Sequence, residues 1–170
     1  YLSVQQVTDS INDRFYWDDN EKIFIYTTAT QVIKAYPDEQ SYHVGDETTS
    51  LDYVPVKTIG DTEYVALDYI QLYTQCEAET LTEPNRLVIA TQWGEENTVT
   101  ASADTVLRYE GDLQSDILRN VTAGETMTVV ASAEDWSWTN VATEDGYVGW
   151  VENRYLGQQQ TVTATAPEFQ

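Results

Sequence analysis

Paired carboxylates are the most frequent chemistry-bearing pattern in this sequence: Asp18-Asp19, Glu134-Asp135 and Glu144-Asp145. Two carboxyl groups about 5–10 Å apart can flank a glycosidic bond, one as acid and one as nucleophile or base. With 29 acidic residues in the chain, adjacency by chance is the simpler reading, and the pairs are expected to be solvated surface. The lone Cys76 and the lone His43 could in principle form a nucleophile and base. Cys76 precedes an acidic turn and His43 stands beside the turn residue Gly45, so a packed thiol and a strand-edge imidazole are expected instead. One cysteine and one histidine also exclude a Cys/His zinc cluster and an internal disulfide framework. Asp18-Asp19-Asn20-Glu21 offers hard oxygen ligands, but it lacks the spacing and central glycine of a calcium loop and reads as a turn. No catalytic residue, metal or cofactor is expected.

Aromatic rings are the stronger candidates, because exposed Trp and Tyr can hold sugars and peptides by stacking. Trp136 and Trp138 have the same strand parity, so both should face one side and Ser137 the other. Such a pair is either core or a binding platform. Trp150 reads as core, and the three tryptophans together are expected to supply much of the core of a small second half.

These residues sit in a chain of 170 residues with a formal net charge of −21, 41% hydrophobic, with 5 Trp and 12 Tyr. That is too apolar and aromatic for a disordered acidic tail. The charge disfavours phosphate backbones and anionic lipid surfaces, so no nucleic-acid partner and no membrane insertion are expected. No apolar run approaches the roughly 20 residues that a helical span requires. The charge is shared, with 5 basic against 17 acidic residues in 1–95 and 3 against 12 in 96–170. Threonine is abundant and lysine scarce, a bias associated with bacterial surface proteins. The chain opens at Tyr1 without Met and shows no signal peptide, so an excised or processed segment is expected.

The elements that must position these residues fall into two halves. In residues 1–94, apolar spacings of three and four predict short helices near Leu2–Ile11 and Val65–Leu72. Each is followed by an acidic turn and a β-branched strand, Ile23–Tyr26 in the first copy and Leu87–Ile89 in the second, a weak internal duplication. Strand segments lie between the copies, so an α+β N-terminal domain with mostly antiparallel strands is expected. Residues 97–157 read as short strands with regular turns, the pattern of an all-β small barrel. Residues 158–170, QQQTVTATAPEFQ, are polar and core-poor and read as a linker to a domain absent from this chain.

The second half resembles the bacterial SH3 domain family. The resemblance rests on Thr98–Ala101, Thr105–Arg108, Asp116–Leu118, Gly124-Glu125, Met127–Val130, Trp136, Trp138 and above all the closing Gly146-Tyr147-Val148-Gly149-Trp150-Val151 with Tyr155-Leu156. Two departures occur, Thr105-Val106-Leu107-Arg108 for the family's Asn-Val-Arg and Gly111-Asp112 for its Gly-Pro. Because family members that bind wall peptides use aromatic-lined clefts, the resemblance makes Tyr109, Trp136, Trp138 and Tyr155 the ligand-binding candidates. The first half resembles the copper amine oxidase N-terminal-like domain of bacterial surface proteins, through the duplicated unit, His43-Val44-Gly45, Thr62–Leu67 and Leu87–Ile89. One histidine cannot satisfy copper chemistry, so that name implies no copper.

The order of the two modules is similar to the N-terminal region of secreted family-18 glycoside hydrolases of spore-forming bacteria. No DxxDxDxE run of that family's catalytic strand occurs here. The resemblance therefore implies a non-catalytic, secreted or cell-surface segment that binds peptidoglycan or another cell-wall component, accessory to a C-terminal catalytic domain of the same protein. A structural spacer that packs on that domain and shapes its cleft is the alternative.

Overall fold

A computed structural model describes residues 1–169, in which the chain forms two compact units, residues 1–75 with 167–169, and residues 76–166. In the first, β1 (Leu2–Ser3) runs into α1 (Val4–Ser10), followed by β2 (Phe15–Asp18), β3 (Ile23–Thr27), β4 (Val32–Ala35), β5 (Ser41–Val44), β6 (Glu47–Ser50), β7 (Val56–Ile59), β8 (Thr62–Val65) and α2 (Leu67–Gln71). Ser3 caps α1, accepting from the Gln6 N–H while the Gln6 side chain accepts from the Ser3 N–H, and the helix buries Val4 and Val7. Strands β2 to β6 make an antiparallel meander, and β1, β8 and β7 make a second small sheet. Four successive residues of β3, Ile23 to Tyr26, are buried. The Phe15 ring packs 4.4 Å from Tyr26 and 5.4 Å from Phe24, while Tyr69 of α2 meets Phe24 at 6.2 Å. The predicted α+β domain is not well supported. Its helices are only seven and five residues long, and the rest of its regular structure is antiparallel strand. Each helix buries one short apolar face, after which β-branched and aromatic residues return the chain to strand.

The second unit begins with a hairpin, β9 (Glu77–Leu81) and β10 (Arg86–Ala90). It continues through β11 (Gly94–Thr100), β12 (Thr105–Arg108), β13 (Ile117–Val121), β14 (Thr126–Ser132), β15 (Trp138–Ala142), β16 (Val148–Glu152), a 3-10 turn at Asn153–Tyr155 and β17 (Gln160–Ala164). The seven later strands form one antiparallel sheet in the order β13-β12-β16-β15-β14-β11-β17. Val99, Ala101, Leu107, Val121, Met127, Val141 and Val151 form one buried cluster, so strands from distant parts of that order share a core. Gly149 sits inside this packing. A Cβ there would lie 2.5 Å from the Arg108 carbonyl and 2.9 Å from Leu107 and Leu118 side-chain atoms.

Three expectations change. The core is aliphatic with one Met, whereas Trp138 and Trp150 are half-buried and Trp136 is 71% exposed. The interior was filled by Thr139, Val141 and Val151, the strand positions that alternate with the tryptophans. The expected join at residue 94 differs from the structural division between Gln75 and Cys76. The hairpin packs with the sheet that follows it, with Arg86 Nε donating to the Asp145 carbonyl at 3.0 Å. Finally, five residues of the expected linker form β17, paired with Gly94–Thr98 of β11. Gln170, the last residue of that linker, lies outside the described residues.

Candidate functional site

The registers of β14, β15 and β16 decide which side chains share a face. Directly opposed residues point the same way, and Asn140 opposes Trp150 while Ala142 opposes both Thr128 and Val148. Trp138, Asn140 and Ala142 therefore share the outer face of β15 with Trp150 and Val148 of β16. Thr139 and Val141 point into the core. Trp138 and Trp150 are diagonal neighbours on this outer face, and both lie against one loop, residues 109–116. A Cβ on Gly111 would stand 3.2 Å from Trp138 Cγ and 3.5 Å from Trp150 Cε3, so the loop backbone rests on both rings.

That loop is held by its own polar groups. The Tyr109 N–H donates to the Asp116 carbonyl at 2.9 Å, and the Glu110 N–H donates to Ser115 Oγ at 2.8 Å. Gln114 N–H donates to Asp112 Oδ1 at 2.7 Å, and Arg108 Nη1 donates to the Ser115 carbonyl at 2.8 Å. Tyr109 stands on the loop with 66% of its surface exposed, available for stacking.

Trp136 does not belong to the strand, so its parity with Trp138 carries no meaning. It sits in the turn before β15 with φ +58°, its N–H donating to the Ala133 carbonyl at 3.0 Å. Asn153 ties this turn to the 3-10 turn that holds Tyr155. Its Nδ2 donates to the Trp136 carbonyl, its backbone N–H donates to the Ser137 carbonyl at 2.9 Å, and its Oδ1 accepts from the Thr139 hydroxyl. Tyr155 is half-buried beneath the Arg154 guanidinium, 4.6 Å from the ring centre. The four predicted residues thus form two groups that adjoin through β15: Trp138 beneath the Tyr109 loop, and Trp136 joined through Asn153 to Tyr155. Sequence reasoning missed Gly111 and Asn153, whose roles lie in backbone contact and anchoring. Asp135 precedes Trp136 in the same turn, and the Ser137 hydroxyl and N–H hold its carboxyl below its usual range.

The other candidates are engaged elsewhere. Asp18 Oδ1 accepts from the Asn20 and Glu21 N–H groups, closing the β2–β3 turn, and Asp19 pairs with Lys22 at 2.6 Å. Asp145 pairs with Arg119 at 2.9 Å, while Glu134 and Glu144 are exposed. His43 Nδ1 and the Thr48 hydroxyl are 2.9 Å apart. Cys76 is buried, and burial pushes its thiol up, which works against a thiolate nucleophile. Among the described residues no three His, Cys, Asp or Glu side chains are grouped for a metal ion.

A concavity of about 690 Å³ lies within the same unit, between β10 with the chain leading into β11 and the outer face of β14 to β16. Val88, Ile89 and Ala90 form one wall, with Val130, Ala142 and Val148 opposite. The Val88 side chain closes one end against Gly146, whose φ is +86° and where any Cβ would collide with Val88 Cγ2.

Comparison with known proteins bears on this unit. Residues 104–157 match the family model described as Bacterial SH3 domain. Among solved structures the chain is similar to NlpC2 and NlpC1 from Trichomonas vaginalis, each with 14% identity and a TM-score of 0.33. Those alignments cover 85% of this chain and 43% and 41% of the respective structures, so the chain spans about two fifths of their length. No curated protein matches. A bacterial SH3 domain is found at residues 104–157, and it carries the outer tryptophan face, the Tyr109 loop and the Asn153 anchor.

Proposed function

We propose that this segment is a non-catalytic cell-wall-binding module of an exported bacterial protein, and that its SH3 domain holds a wall peptide or glycan on the aromatic face. The observation that carries the reading is the placement of Trp138 and Trp150 outside the core, flanked by exposed Tyr109 and Trp136. The exposed rings, Tyr109 and Trp136, lose contact with water by stacking on a ligand, and the ligand's polar edges reach the loop backbone. Tyr155 supplies the far rim. The excess of acid favours neutral or cationic groups. The first unit, with its resemblance to the copper amine oxidase N-terminal-like domain, would position the SH3 domain. A glycoside hydrolase domain following residue 170 would supply catalysis, and tethering would raise the effective concentration of a weak binder.

The test is retention of the 170-residue segment on purified peptidoglycan. Retention by the unaltered chain, lost in a Tyr109→Ser/Trp136→Ser variant whose two positions are exposed, supports the reading. Trp138→Ala should lose it as well, with circular dichroism confirming the fold. No retention of the unaltered chain overturns it in favour of the spacer, which would then form a stable complex with the neighbouring domain.

A further inference from the structure

We infer that the cleft between β10 and the outer face of β14 to β16 is a second ligand site, which takes an extended peptide segment carrying an ammonium group. It shares the outer face of β15 and β16 with the tryptophans, but its lining includes Ala142 and Val148 and neither Trp138 nor Trp150, and four observations of different kinds converge on it. Its volume, about 690 Å³, falls inside the range of about 300–1,000 Å³ typical of small-ligand sites. Its walls are mixed: Val88, Ile89, Val130, Ala142 and Val148 line it beside polar residues such as Gln92, Asn97 and Thr128. An extended chain would bury alternate side chains against them.

The third observation is a strand edge. β10 pairs only with β9 among the described residues, in register from Arg86–Leu81 to Ala90–Glu77. Three residues of β10 line the cleft and none of β9 does, so the unpaired edge of the hairpin is the one beside it. Backbone N–H and C=O groups along such an edge are a template for one more strand, and main-chain hydrogen bonding of this kind recognises peptides of many sequences.

The fourth is charge. Among the described residues, Glu95 and Glu96 are the charged ones that line the cleft. Glu96 lies two residues from Thr98, which opposes Thr128 across the sheet, and so it shares the face of Thr128, Ala142 and Val148. Of the two nearby cations, Arg119 pairs with Glu125 and Asp145, while Arg86 donates to the neutral Asp145 and Pro84 carbonyls and lies over the ring of Tyr147, at the edge of the cleft. A strand template whose lining charges are both carboxylates, with Glu96 on the face of Thr128 and Ala142, favours an amine-bearing peptide over an acidic one.

The probe is N-acetyl-Val-Lys-Val-Ala-amide, titrated into the isotope-labelled 170-residue chain and followed by amide chemical shifts. Shifts at Val88, Ile89, Glu96, Val130 and Val148 are expected, with the Val-Glu-Val-Ala analogue at least about fivefold weaker. Glu95→Gln/Glu96→Gln should weaken the lysine peptide by about fivefold, the upper end for an exposed ion pair. Val130→Trp, at a position 56% exposed, should block the cleft without touching the core and abolish the shifts. Shifts confined to the Trp138 and Trp150 face, or equal binding of both peptides, would overturn the inference. Peptidoglycan retention that survives Val130→Trp separates this site from the aromatic one.

Discussion

Two helix-plus-hairpin units of similar order have opposite fates in this molecule. α1 leads into β2 and β3, and α2 leads into β9 and β10. In the first hairpin β3 pairs on both edges, with β2 and β4, and Ile23 to Tyr26 are all buried. In the second the pair stands alone, four of the five residues of β9 are exposed, and Leu87 of β10 is 46% exposed. The difference lies in what the strands offer to a core. Phe15, Phe24 and Tyr26 bring rings that stack on one another and on the tyrosines of α2 and the turn after it. Leu87-Val88-Ile89-Ala90 brings smaller aliphatic groups and no ring. Burial of a large side chain stabilises by about 1.5–3 kcal/mol, enough to recruit a first hairpin into a sheet. The second is held at a few points, Val88 against Gly146 and Arg86 against Tyr147 and Asp145. A duplicated pattern became a structural element once and a surface element the second time.

The largest test of that contrast is Phe24→Ala. It should cost about 3–5 kcal/mol, lowering the thermal midpoint of the first unit by more than about 12 °C. A loss no greater than that from a surface substitution would erase the contrast. Next comes Gly146→Ala, which places a Cβ at φ +86° and against Val88. It should cost about 1–3 kcal/mol, and hydrogen exchange at Arg86–Ala90 should quicken while β2 and β3 are unchanged. If exchange in β10 stays slow, the hairpin has other anchors.

A pH series gives a smaller effect. The Arg119 hydrogen bond, helped by its charge and by the Thr122 N–H, holds the Glu125 carboxyl below its ordinary value, with burial opposing. That stability is present above the unfolded carboxylate value of about 4.3 and is lost as pH falls through the lower folded value. Arg119→Ala should remove about 1 kcal/mol at neutral pH and flatten the acid limb of the second unit in urea titrations. An unchanged acid limb would detach this pair from the pH response. The smallest effect belongs to Leu87→Ser, within about 0.5 kcal/mol by the same unfolding measurement. A cost near that of Phe24→Ala would mean that the second hairpin is core after all.

Much of the SH3 half was legible because its signals are local. Residues 97–157, expected as short strands with regular turns, hold β12 to β16 in full. Turn glycines and β-branched runs act over a few residues, and sequence displays them. The role of the tryptophans was not legible, since alternation says which residues share a face and leaves open which face is buried. Val141 and Val151 fill a small interior as well as rings would, which freed Trp138 and Trp150 for the outside. β17 was hidden for a related reason. As an edge strand with Gln160 to Thr163 exposed, it has no apolar alternation, and its Thr and Val content is the only signal. The cleft beside β10 depends on where a hairpin docks, which no local pattern encodes.

The pairing of β17 with β11 has a mechanical consequence. Gly94 lies opposite Ala164 and Thr98 opposite Gln160, so the chain arrives at this ladder and departs from it at the same end. A pull applied through residues 94 and 164 loads one hydrogen-bonded pair at a time, peeling β17 from its open end instead of shearing the ladder as a whole. For a pull in that direction β17, the edge strand of its sheet, separates without disturbing the core around Leu107, Val141 and Val151.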